Sequence, residues 1–270
     1  MKKQDLVKLI ILLILVIIAY FPTFIWMVDR WTAAETYYSH GFLVPLISLY
    51  IIWHRRMELS RLKAASSNSG WLFLIFGILI HTVSALCEVY FTSGFSLILV
   101  LIGIVLLSLG KDCLRKLLFP IIFLIFMIPL PMVAIANLSF RLKILVSQIA
   151  TVAVNKLGIY AVRDGSVIKT MHSYLLVEDP CSGIRSLIAL IALGTLMAYF
   201  SRTSRTKKAI LFISSVPISL VSNVIRIAAL TLVSEIYGVK IATGTFHDIM
   251  GILVFVFAFL GLSFVCKLLE

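Results

Sequence analysis

Val177-Glu178-Asp179-Pro180-Cys181-Ser182-Gly183-Ile184-Arg185-Ser186 takes the chain from a polar loop into an apolar run that continues from Leu187 to Phe200. A run of that length and composition reads as a membrane helix entered from a loop, with a cysteine at its mouth. Working outward, two further ionisable residues occupy comparable boundary positions. Arg226 lies in Asn223-Val224-Ile225-Arg226, and His247 lies in Thr245-Phe246-His247-Asp248. A charged or titratable side chain at membrane depth is costly, so each requires a pairing or functional explanation.

Composition agrees with the membrane reading. The chain is 61% hydrophobic and 13% charged, with a mean hydropathy of +1.10, whereas soluble domains are roughly half apolar and about a quarter charged. Apolar spans fall at roughly 6–28, 40–54, 71–87, 94–109, 117–136, 182–200, 208–235 and 248–266. The first is too long for the roughly 7–15-residue core of a signal peptide and lacks a small-residue cleavage site, so it reads as a retained span. The expected fold is therefore an all-α membrane protein, a polytopic helical bundle of about eight transmembrane helices.

The net charge of +12 is not a nucleic-acid signature, because the cations form short clusters between spans without interleaved aromatics. Lys2, Lys3 and Lys8 flank the start; Arg55, Arg56, Arg61 and Lys63 follow the second span. Lys111, Arg115 and Lys116 follow the fourth, Arg202, Arg205, Lys207 and Lys208 the sixth, and Lys267 the eighth. Every strongly basic loop falls on one side. The positive-inside rule then puts both termini in the cytoplasm, with the protein in the inner (cytoplasmic) membrane.

Residues 137–157 mix apolar residues with Arg141, Lys143, Gln148, Asn155 and Lys156, which predicts an interfacial helix on the outer surface. Within 158–180, Asp164-Gly165, Val167-Ile168 and Tyr174-Leu175-Leu176-Val177 read as a small extracytoplasmic hairpin that delivers Cys181 to the mouth of the sixth span. There is no repeat, low-complexity tract or soluble domain, so residues 1–270 read as one integral-membrane domain. The four cysteines, Cys87, Cys113, Cys181 and Cys266, show no CxxC spacing and no metal-ligand pattern, and no cofactor is implied. A Cys87–Cys181 disulfide is open to this topology without being required by it.

Arg226 lies about 18 residues past Lys208, roughly 27 Å along a helix and near the outer edge of a bilayer core about 30 Å thick. Cys181 and His247 reach the same level from their own spans. Singly, each has a bland reading: an inert buried thiol, an interfacial histidine, an arginine snorkelling to headgroups. Together they make an acyl-transfer set. Cys181, with its pKa lowered by a helix N-terminus, would attack a carbonyl and form a thioester. His247 would carry the proton and Arg226 would hold the oxyanion. Arg185, four residues after Cys181, is expected on the same helix face. Asp248 is a candidate to orient His247, and Asn223, one turn before Arg226, to hydrogen-bond within the site.

The blocks Cys181-Ser182-Gly183-Ile184-Arg185-Ser186, Asn223-Val224-Ile225-Arg226-Ile227 and His247-Asp248-Ile249-Met250-Gly251 resemble the three signature blocks of the exosortase/archaeosortase family. Tyr38-Ser39-His40-Gly41-Phe42-Leu43-Val44-Pro45 resembles its N-terminal block, and the wording from Val177 to Ser186 is nearer the bacterial branch. The resemblance implies a multi-pass cysteine protease/transpeptidase with Cys181, Arg226 and His247 as its catalytic trio. It also implies the partners: exported proteins bearing a C-terminal sorting signal, made of a short motif such as Pro-Glu-Pro, a hydrophobic helix and a basic tail. Two other classes stay open on residues alone. A transporter would show mid-membrane polar residues and a repeat, and a thiol-redox enzyme would need paired outer cysteines.

Overall fold

The structure is a computed structural model that describes residues 3–33, 36–62 and 65–270. Lys2 and Lys63, two of the cations in the basic-loop pattern, lie outside the described residues. The chain forms two compact units, Met1–Pro131 and Met132–Glu270. It is a helical membrane protein: five helices are long and apolar enough to cross a bilayer, six if one bent pair counts as a span. The expected count of about eight is not reproduced, and particular residues explain the difference.

The first unit contains α1 (Lys3–Ala19), α2 (Phe21–Thr32), α3 (Leu43–His54), α4 (Arg56–Arg61), α5 (Ser69–Leu86), α6 (Tyr90–Ser108) and α7 (Lys111–Phe123). The span expected at 6–28 is α1 plus α2, bent by 65°. Pro22 sits at the start of α2, where a missing N–H and a ring clash with the preceding turn end one helix and begin another. The span expected at 40–54 shortens to the 12 residues of α3, about 18 Å of helix against a bilayer core of roughly 30 Å. Pro45 occupies its first turn, where no N–H partner is needed.

The span expected at 117–136 is not one helix. After α7 come a 3-10 turn, Leu124–Met127, and an extended break through Pro129 and Pro131. The exposed backbone of this break is satisfied by side chains, as non-helical chain at membrane depth must be. Trp31 Nε1 donates to the Met127 carbonyl at 2.8 Å, and the Leu130 N–H donates to Tyr38 Oη at 3.1 Å.

The same unit holds a polar cluster that the sequence did not reveal. Tyr20 pairs with Ser96 at 2.8 Å, Thr23 with Ser93 at 2.7 Å, and His81 Nδ1 with Ser93 at 2.8 Å. Helices α5 and α6 meet backbone to backbone. A Cβ added to Gly103 would lie 2.7 Å from the Leu74 nitrogen and 3.0 Å from the Gly70 oxygen. Small residues at such a seam replace the hydrophobic driving force that lipid removes.

The second unit contains α8 (Met132–Lys156), β1 (Ala161–Asp164), β2 (Val167–Thr170), β3 (Tyr174–Leu176), α9 (Ile184–Phe200), α10 (Arg205–Tyr237), α11 (Val239–Thr243) and α12 (Thr245–Leu269). Helix α8 covers the segment expected as an interfacial helix over 137–157 and extends it toward the N-terminus. It is a single helix of 25 residues, long and apolar enough to span. Its continuous buried face of Ile135, Ser139, Leu142, Val146, Ala150 and Val154 outweighs the exposed Arg141 and Gln148. The expected hairpin gains a strand and becomes an antiparallel sheet in the order β1-β2-β3. Asn155, which looked like a polar interruption, bonds both backbone groups of Ala161, at 2.9 and 2.8 Å, and so launches β1.

Ala161, Ile168, Leu175 and Val177 then bury with Val146, Ala150 and Val154 of α8 and Ile227 and Leu230 of α10. Helix α10 is the axis of this unit. Its 33 residues run unbroken past Pro217, and its buried face carries Leu211, Ser215, Ser219, Ser222, Asn223, Ile227, Leu230, Thr231 and Ser234.

The glycine seam yields a test. Gly103→Val drives a branched side chain into rigid backbone, and overpacking of this kind costs about 1–3 kcal/mol. The thermal midpoint of the detergent-solubilised protein should fall clearly, and an unchanged midpoint would refute the close α5–α6 approach.

Candidate active site

Cys181 does not lie on α9. It sits in a 3-10 turn, Asp179–Ser182, separated from the helix by Gly183, whose φ of 84° is left-handed. Glycine enters that region freely and an L side chain does so at a cost. Space makes a second demand at the same position, since a Cβ there would stand 2.6 Å from Asn223 Nδ2. With that room open, Asn223 Nδ2 donates to the Cys181 carbonyl at 3.0 Å. Asn223 is 1% exposed, so this bond pins the turn to the middle of α10.

Arg226, one turn further along α10, places Nη2 2.8 Å from His247 Nε2 and 3.3 Å from the His247 carbonyl. Its guanidinium passes over Gly251, one turn along α12 from His247, where an added Cβ would come within 3.4 Å of Nη2. His247 in turn lies 3.6 Å from Cys181 Sγ by either ring nitrogen. Thiol, imidazole and guanidinium thus form a continuous chain, Sγ to ring to Nη2. Because Arg226 donates to Nε2, the neutral ring carries its proton on Nδ1.

The other expected partners make no hydrogen bond to the three; Arg185 acts on Arg226, and Asp248 on Arg226 and His247, through charge alone. Arg185 is exposed on α9, because the left-handed Gly183 breaks the four-residue helical spacing to Cys181. Asp248 is exposed in the first turn of α12, where a carboxylate complements the helix dipole. The Cys181 thiol also differs from expectation. Cys181 is 4% exposed, and burial pushes its pKa up; the Arg226 guanidinium draws it back down, and the Glu178 carboxylate adds to the rise. A helix N-terminus lowers a thiol pKa only when the sulfur sits at it, and here the turn sets Cys181 ahead of α9 while desolvation dominates.

A cavity of about 250 Å³ opens on the sulfur, lined by Leu175, Leu176, Glu178, Cys181, Ile227, Leu230, Thr243 and His247. Sequence reasoning singled out Cys181 and His247 from this set and missed the rest. Leu175, Leu176, Ile227 and Leu230 are apolar residues among many, and nothing local marks them. All four cysteines are free, including the exposed Cys87. Among the described residues no group of three or more His, Cys, Asp or Glu side chains is placed to hold a metal ion.

The Asn223 bond is testable by itself. Asn223→Ala leaves a buried carbonyl unpaired and should destabilise by about 1–3 kcal/mol. Asn223→Asp, which sets an acceptor against that carbonyl, should destabilise more. Equal thermal midpoints for Ala, Asp and the parent would remove the bond from the account of the turn.

No curated protein and no solved structure matches this chain. The family model described as transmembrane exosortase matches residues 26–264, a stretch that contains both the Tyr38 block and the cluster of Cys181, Arg226 and His247. The chain belongs to the transmembrane exosortase family.

Proposed function

We propose that this protein is a membrane-embedded cysteine protease/transpeptidase that cleaves exported proteins near a C-terminal sorting signal, through a thioester on Cys181. The observation that carries the reading is the chain from Cys181 Sγ to His247 at 3.6 Å and from His247 Nε2 to Arg226 at 2.8 Å. Its substrates are proteins whose tail combines a Pro-Glu-Pro-like motif, a hydrophobic helix and a basic end. The protein sits in the inner membrane with both termini cytoplasmic and the site facing outward, an arrangement that gathers the basic clusters after 40–54, 94–109, 182–200 and 248–266 on one side and requires that 40–54 and 182–200 cross while 137–157 does not.

The chemistry follows from the geometry. Burial keeps Cys181 a thiol at neutral pH, so the attack needs a base in contact. The Nε2 lone pair of His247 is held by Arg226 at rest. As the sulfur attacks, Arg226 turns its guanidinium from the ring to the oxygen of the substrate carbonyl, where negative charge is developing. That movement frees Nε2 to take the thiol proton. Collapse of the tetrahedral species breaks the C–N bond, the proton passes from His247 to the leaving amine, and the acyl group stays on sulfur. Water or an amine then attacks the thioester and releases the thiol. Gly183 and Asn223 keep the nucleophile in place throughout.

Activity and thiol reactivity read these roles separately. Cys181→Ala should abolish processing of a tagged substrate. His247→Ala should lower single-turnover cleavage by about 10²–10⁴-fold. Arg226→Lys should retain more activity than Arg226→Ala yet stay impaired, because an ammonium lacks the forked donors; wild-type rates for Lys would reduce Arg226 to a headgroup anchor. With the other cysteines changed to Ser, iodoacetamide alkylation of Cys181 should rise at a pH above that of an ordinary thiol. In Arg226→Ala the rise should move higher still, since the charge that favours the thiolate is gone; a shift the other way would contradict the assignment.

Topology is tested by Lys169→Cys and Lys207→Cys in a background without other cysteines. Membrane-impermeant maleimide should reach the first from outside and the second from the cytoplasm. Labelling of both from one side would overturn the outward-facing site.

A further inference from the structure

Strand β3 is the edge of its sheet, and its ladder determines which backbone groups remain free. The Thr170 N–H donates to the Ser173 carbonyl at 2.9 Å and the Val177 N–H to the Ser166 carbonyl at 3.0 Å. The register Ile168↔Leu175 falls between them. Hydrogen-bonded and non-bonded pairs alternate in an antiparallel ladder, so Ser173, Leu175 and Val177 direct their N–H and C=O at β2. Tyr174 and Leu176 direct theirs away from it, and among the described residues those groups have no hydrogen-bond partner. Leu176 lines the cavity that opens on Cys181.

The free edge belongs to a strand whose Leu175 and Leu176 line that cavity, a slot completed by Glu178, Cys181, Ile227, Leu230, Thr243 and His247. The strand is held rigidly in place. Ser173 Oγ bonds Ser234 Oγ at 2.8 Å, and Glu235 takes both the His172 ring at 2.7 Å and the His172 N–H at 3.1 Å. An open row of alternating donors and acceptors is complementary to one thing above all, another extended backbone.

We propose that the slot binds the polypeptide segment on the acyl side of the cleaved bond as a fourth strand, parallel to β3. The direction follows from the chain, since β3 runs toward Cys181 and the acyl segment must also end there. Leu176 N–H and C=O bond two peptide residues of the same parity, while the alternate residues present their backbone outward. The exposed Leu176 offers the docked segment an apolar contact, while Leu175, Ile227 and Leu230 line the slot as buried residues. Affinity comes from main-chain bonds, so the slot accepts varied sequences provided they are extended. The proposal rests on Cys181 being the acylated nucleophile.

The probe is an N-acetylated tetrapeptide of alternating valine and alanine ending in an acyloxymethyl ketone, which alkylates a thiol with loss of a carboxylate. Four versions carry a single N-methyl group, each at a different amide. Labelling of Cys181 in the full-length protein should fall about tenfold or more for alternate positions and stay within about threefold for the others. Leu176→Pro removes the outward N–H but none of the ladder to β2, a position where an edge strand accepts proline. It should slow the peptide probe about tenfold more than it slows iodoacetamide alkylation of Cys181, the comparison that separates lost strand pairing from altered access. If N-methylation is tolerated equally everywhere while iodoacetamide still alkylates Cys181, strand docking is refuted and the nucleophile stands. If neither reagent modifies Cys181, the nucleophile assignment fails and this proposal fails with it. The N-methyl series uses the unaltered protein, so it decides the matter even if the proline variant does not fold.

Discussion

The second unit depends on one buried hydrogen bond, from Asn223 Nδ2 to the Cys181 carbonyl. A non-helical turn at the mouth of a membrane helix has carbonyls that lipid cannot satisfy, and each unpaired one costs several kcal/mol. Asn223 removes that cost and in doing so fixes the distance between turn and helix. Gly183 is then required twice, for its left-handed φ and for the space Asn223 occupies. Arg226 follows one helical turn later, and Gly251 lets α12 come close enough for its guanidinium to reach His247. Gly183, Gly251 and Asn223 of the three sequence blocks are thus explained by packing.

On the proposed mechanism, the electrostatics of this arrangement favour a restrained nucleophile. Cys181 is 4% exposed as a residue, a desolvation that holds the thiol protonated, and the nearby guanidinium offsets only part of that effect. A free thiolate at the membrane surface would be open to oxidation and stray alkylation. A thiol that loses its proton only when a carbonyl is in place avoids both. The same low dielectric that raises the thiol pKa strengthens the guanidinium's hold on an oxyanion once it forms.

The two units manage broken membrane helices by the same rule. In the first, Trp31 and Tyr38 satisfy the Met127 carbonyl and the Leu130 N–H at the proline break. In the second, Asn223 satisfies the Cys181 carbonyl. The Tyr38 block and the Asn223 block, which in sequence look like candidate chemistry, both act on backbone groups of neighbouring segments. A polar side chain in an apolar sequence therefore has a structural duty to be ruled out before a catalytic one is assigned.

Sequence by itself determined the class of protein, since 61% hydrophobic residues in long uninterrupted runs have no other stable solution than membrane helices. It also identified Cys181, Arg226 and His247, because ionisable residues stand out against such a background. The structure has fewer helices long enough to cross than the sequence has apolar runs, because apolar length registers hydrophobicity without registering where a chain bends: Pro22 sits where one run bends, and Pro129 and Pro131 end another. Sequence left the placement of α8 undecided, since the polar residues of that segment lie on a face the core does not use. It expected a lowered thiol pKa from proximity to a helix start, and burial reversed the sign. Tertiary structure alone decided that Arg185 and Asp248 reach the chain of Cys181, His247 and Arg226 through charge and not through a hydrogen bond. It alone brought Leu175, Leu176, Ile227 and Leu230 to the sulfur and left the β3 edge open beside it. The reason is physical: a side chain's chemistry is written in its identity, but its neighbours are set by backbone geometry summed over a hundred residues.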